Sequence, residues 1–102
     1  MLINIDPAIL AAAASSETGG TATMAGATAA AAGPTTAVLP PGADDVSVRA
    51  AAALCARGAA TSGILAEYIA MRGLFAGAIG SSGATYEAVE GINLATATIG
   101  GA

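Results

Sequence analysis

Pro34-Thr35-Thr36-Ala37-Val38-Leu39-Pro40-Pro41-Gly42-Ala43-Asp44-Asp45-Val46-Ser47 divides the chain. Three of the four prolines fall in this stretch, and long alanine-rich segments flank it on both sides. Proline has no N–H to donate and pushes its predecessor out of the α region, so a smooth helix is not expected through it. Gly33, just before it, suits a helix C-terminus, and Asp44 at the far end suits an N-cap. The reading is an all-α chain: two helices folded into an antiparallel hairpin around a rigid, mostly extended linker capped by Pro34, Pro40, Pro41, Asp44 and Asp45.

Working outward toward the N-terminus, Asp6-Pro7 has the form of a helix start, an N-cap carboxylate followed by proline at the first helical position. The first helix is expected over about 7–32. Ile9, Leu10, Ala13, Glu17, Met24, Ala27 and Ala31 fall near helical spacing, although most of that face is small. Gly19, Gly20 and Gly26 each cost about 1 kcal/mol relative to alanine, so packing against another helix has to supply the stability.

Toward the C-terminus, the second helix is expected over about 44–80, with Asp44 and Asp45 at the positive end of its dipole. Its second half carries the clearest periodicity in the chain: Ile64, Tyr68, Met71, Phe75 and Ile79, widened by Leu65, Ile69 and Leu74. Gly80-Ser81-Ser82-Gly83 reads as the end of the helix. That places a helical hairpin at 1–83 and a flexible tail at 84–102.

Composition sharpens this picture. The chain has 102 residues, room for one domain, and they include 30 alanines, 14 glycines and 10 threonines against 10% charged and 3% aromatic residues. Alanine supplies more than half of the apolar content and contributes little on burial. At roughly 25 cal/mol per Å² of buried apolar surface, the few large side chains make a thin core. Two such helices leave apolar surface in water, so a protein partner is expected, and the stripe of Ile64, Leu65, Tyr68, Met71, Phe75 and Ile79 reads as a protein interface.

Several function classes are disfavoured. The net charge is −4, and Arg49, Arg57 and Arg72 are the only cations and are dispersed, so nucleic acid is not an expected partner. There is no histidine, no lysine and no Ser/His or Cys/His pairing, so neither an enzyme nor a small-molecule substrate is expected. Asp44 and Asp45 are adjacent and diverge, metal-ligand spacing is missing, and no cofactor is implied. Cys55, the lone cysteine, reads as a small apolar residue. Ile9 to Ala14 resembles a short signal-peptide core, but Asp6 precedes it and no Lys or Arg does. Thr, Ser, Gly and charges interrupt every long segment, so no integral membrane segment is expected.

The linker resembles that of the mycobacterial PE proteins, whose pattern is close to PTTxVxPxxxDxVS, and the match is gapless from Pro34 to Ser47. Phe75 falls where that family has an aromatic near the end of its second helix. Tyr86 and Glu90 match the Tyr-x-x-x-Asp/Glu motif that follows, and Asn93 comes at the usual interval. The likeness runs from Pro7 to about Asn93. Two departures are plain: the Pro-Glu dipeptide that names the family is Pro7-Ala8 here, and the first helix carries more glycine and threonine than a typical member.

The resemblance implies a hairpin that forms an obligate heterodimer with a PPE-type protein, completing a four-helix bundle. It also implies export by a type VII secretion system without a cleaved signal peptide, to the medium or the cell surface. On that likeness Tyr86 and Glu90 would be the export motif, and Ile9, Leu10, Met24, Leu54, Tyr68, Met71 and Phe75 would belong to the faces that pack in the complex. Two other readings remain open from the residues alone: a small membrane-associated helical protein, and a self-associating homodimeric hairpin.

Overall fold

The structure, a computed structural model, describes residues 4–101, which contain no strand. Helix α1 spans Pro7–Thr36 and helix α2 spans Asp45–Gly100. Both start where the sequence places them. Asp6 Oδ1 accepts from the Ala8 and Ile9 amides at 2.9 and 3.4 Å, satisfying two donors that a helix N-terminus leaves free. Asp44 does the same for α2: its Oδ2 accepts from the Ser47 amide at 2.9 Å and its Oδ1 from the Ser47 hydroxyl at 2.7 Å. Asp45 then forms an exposed ion pair with Arg49 one turn on, at 2.6 Å.

Both helices end later than their compositions suggest. α1 continues past residue 32 with Pro34 inside it. The clash that removes a pre-proline residue from the α region involves its Cβ, and Gly33 has none. The Ala37 amide bonds to the Gly33 carbonyl at 3.1 Å, while the Thr35 and Thr36 hydroxyls donate to the carbonyls of Ala31 and Ala32. These bonds close the last turn around the donor that proline lacks.

α2 runs through Gly80-Ser81-Ser82-Gly83, and residues 84–100, expected as a flexible tail, continue the helix. No described glycine has a positive φ, so none acts as a left-handed C-cap. The hydroxyls that compete with helix elsewhere are turned back onto it. Ser81 donates to the Ala78 carbonyl, and Thr85, Thr96 and Thr98 donate to carbonyls four residues earlier.

The chain divides into two units, one joining the residues up to Gly19 with those from Arg72 onward, the other running Gly20–Met71. Within the first, the helices run antiparallel. Buried Gly83 faces Leu10 so closely that a Cβ there would lie 3.2 Å from the Leu10 Cβ, and Gly80 faces Ala14. Ala76 is buried, and Glu17 accepts from the Arg72 guanidinium, with Oε2 at 3.2 Å from Nε and 2.5 Å from a terminal nitrogen. Both side chains are only about 30% exposed (28% and 30%), so this pair crosses the interhelical seam instead of decorating the surface.

Within the second unit the same antiparallel arrangement brings Thr35 to Gly58 and Val38 to Cys55. Ala51 is buried, and Cys55, Gly58, Ser62, Leu65 and Ile69 are half-buried. The inward positions of α2 in the two units alternate steps of four and three, the spacing of a heptad seam. Most of those positions are small (Ala51, Cys55, Gly58, Ser62, Ala76, Gly80, Gly83), which allows close backbone approach, with half-buried Leu65, Ile69 and Ile79 between them. Ala51 and Ala76 are the buried hydrophobic residues among those described.

The bulky stripe read from the sequence lies elsewhere. Ile64, Tyr68, Met71 and Phe75 are 52–69% exposed, and Leu54, two turns before Thr61 on the same heptad track, is 55% exposed. Leu74 is exposed as well, whereas Leu10, Met24, Leu65, Ile69 and Ile79 are half-buried within the chain itself. α2 also contains an 18-residue window of mean hydropathy 1.2, of which 6% is buried, so by length and composition alone it could cross a membrane.

Candidate functional site

Two places bring together the residues singled out by motif. The first is the linker, all within the second unit. Thr35 presents its carbonyl to Gly58, and a Cβ at position 58 would lie 2.8 Å from the Thr35 carbonyl carbon. Val38 is held at both polar atoms by Cys55: its amide donates to Sγ at 3.3 Å and the thiol donates back to its carbonyl at 3.7 Å. Cys55 therefore does more than fill space, because it satisfies backbone groups of a segment that lacks helical partners. Asp44 closes the linker as the α2 cap. The Ser47 amide holds its carboxyl below the ordinary carboxylate range, and the Ser47 hydroxyl adds to the effect.

The second place is the far part of α2, in the first unit. Tyr86 and Glu90 are one helical turn apart and share a face, and both are exposed. Together with Glu87, with Asn4 and Ile5 of the approach to α1 and with Pro7, its first residue, they line a surface groove of about 390 Å³. The sequence motif supplies two of those six residues. Glu87 lies inside the motif's unspecified positions, and no local pattern links Asn4 or Ile5 to a helix some eighty positions away. Glu17 with Arg72, and Val38 with Cys55, were likewise invisible, since each joins residues remote in sequence.

The sequence model of the PE family matches residues 3–93, most of the chain. The chain belongs to the PE family. The match takes in the linker, both helix starts and the Tyr86–Glu90 pair, so all these features lie inside this PE protein's family region. Comparison with curated proteins found no match. Among the described residues no group of three or more His, Cys, Asp or Glu side chains is placed to hold a metal ion.

Proposed function

We propose that this PE protein is a non-catalytic helical hairpin that pairs with a PPE-type protein in a four-helix bundle. The pair leaves the cell folded, through a type VII secretion system and without a cleaved signal peptide, for the medium or the cell surface. Tyr86 and Glu90 are the residues read during export.

The observation that carries the pairing is the outward stripe of α2. Leu54, Ile64, Tyr68, Met71 and Phe75 recur at helical spacing and are all more than half exposed, while the hairpin's own seam is made mostly of small residues. Exposed large apolar side chains at helical spacing, on a chain with so little core, support an interaction surface. Co-expression with a PPE-type protein tests the reading. A stable complex that raises solubility and helicity is expected, and a sharp cooperative melt of the isolated monomer would contradict it.

The 18-residue apolar window of α2 favours one competing reading, a helix in lipid. The acidic charge and the scarcity of flanking Lys and Arg oppose it. In liposome flotation the protein is expected to remain with the soluble fraction.

A further inference from the structure

The groove beside Tyr86 has a chemistry that the two-residue motif does not describe. One wall is α2, with Tyr86, Glu87 and Glu90; the other is the start of α1 and the residues leading into it, with Asn4 and the half-buried Ile5 and Pro7. Glu87 and Glu90, at i and i+3, face the same side of the helix. Neither forms a hydrogen bond or ion pair with a described residue. No cation lies on α2 beyond Arg72, and Arg72 is engaged with Glu17. Among the described residues the groove therefore combines two carboxylates without an ion-pair partner, an exposed phenol ring and an apolar wall.

We propose that this groove docks a protein segment presenting an arginine beside an apolar side chain. The proposal rests on the export reading above and adds the chemistry of what is read there. A guanidinium lying over the Tyr86 ring gains a cation–π contact and keeps its edge donors free for the Glu87 and Glu90 carboxylates. Its apolar neighbour then lies against Ile5 and Pro7. A volume of about 390 Å³ accommodates side chains of that size. Charge complementarity selects the occupant, since a second copy of this chain would bring more acid than base. Glu87 and Ile5 are thus specificity residues alongside Tyr86 and Glu90.

The test uses the full chain together with any partner that purifies with it. It is titrated with pools of capped hexapeptides with apolar flanks and arginine, lysine or citrulline at the centre. The arginine pool is expected to bind about tenfold more tightly than the citrulline pool, and Glu87→Gln and Tyr86→Ala should each lose that preference. Ile5→Ala should weaken binding of the arginine pool. Glu87 is exposed, so its neutral variant should retain the parent's melting curve. Equal binding of the arginine and citrulline pools, no binding at all, or an undiminished preference in Glu87→Gln would overturn the proposal. Equal binding of the lysine pool would remove the stacked guanidinium. An export assay on the same variants separates the two readings. If Tyr86→Ala is secreted normally yet loses peptide binding, the export role fails and the groove stands. If export is lost but Glu87→Gln changes neither export nor binding, the groove proposal fails and the export role stands.

Discussion

The backbone carbonyl of Thr35 stands where a side chain at position 58 would have to be. The linker motif therefore imposes a requirement on the opposite helix, one that only glycine meets. Gly58→Ala should gain about 1 kcal/mol of helix propensity and lose more than that to the clash, since backbone atoms cannot rotate away. A net loss of about 1–2 kcal/mol is expected in a denaturant melt. Gly63→Ala and Gly77→Ala are the controls: nothing lies within 4 Å of a Cβ at either position, so each should stabilise the chain by about 0.5–1 kcal/mol. A neutral or stabilising Gly58→Ala would show that the two backbones are not in close contact.

Glu17 and Arg72 can be taken apart by a double-mutant cycle. Each is about 30% exposed and meets the other in the seam, so either single alanine variant leaves a partly desolvated charge behind. Each is expected to cost about 1–3 kcal/mol, and the double variant less than their sum. Strict additivity would reduce the pair to an ordinary surface contact.

Asp44 sets a pH dependence of known sign. Its carboxyl is held below its ordinary value of 3.8, chiefly by the Ser47 amide, so the folded state binds its proton less readily than the unfolded state. The cap's contribution is therefore complete above that value and fades as pH falls through the lower, folded one. Asp44→Asn keeps a good capping side chain without the charge, and should flatten the acid limb of the stability profile. An unchanged acid limb in Asp44→Asn would assign that dependence to other carboxylates.

Cys55 should behave as a tethered thiol. Removing its contacts with Val38 in Cys55→Ala is expected to cost about 1 kcal/mol and to speed hydrogen exchange at the Val38 amide, leaving exchange in the middle of α1 as it was. Maleimide labelling of the folded protein should lag behind labelling in denaturant. Equal labelling rates would show that the linker does not hold the thiol.

The outward stripe predicts a division of labour. Tyr68→Asp or Phe75→Asp should abolish assembly with a partner while leaving the intrachain seam, which neither residue helps to build, undisturbed. Tyr86→Ala and Glu90→Ala should do the reverse, preserving assembly and blocking export. Pull-down and secretion assays on the four variants check both halves.

The helix starts were legible because capping is local: Asp6 and Asp44 act on amides two or three residues away. The hairpin was legible for a similar reason, through the proline-rich linker. The end of α2 was not. Gly80 and Gly83 carry a local penalty, but what makes them tolerable is contact with Ala14 and Leu10, which no window around residue 80 contains. The seam was hidden by alanine, which occupies every face of both helices and leaves little contrast between inside and outside. The strongest periodic signal came from Ile64, Tyr68, Met71 and Phe75 and marked the outer face. Of the groove, the sequence disclosed Tyr86 and Glu90 alone.

The small-residue seam also shapes the thermodynamics of unfolding. Heat capacity rises on unfolding mainly because apolar surface meets water, and here Ala51 and Ala76 are the buried hydrophobic residues among those described. The increment for the chain alone should fall below the usual 12–15 cal/mol/K per residue, and the denaturant dependence should be correspondingly shallow. Its stability curve is then a low, broad arch, with cooling and warming both changing it little. Assembly on the outer stripe would restore the curvature, so calorimetry reports partner binding even where the helix content is the same.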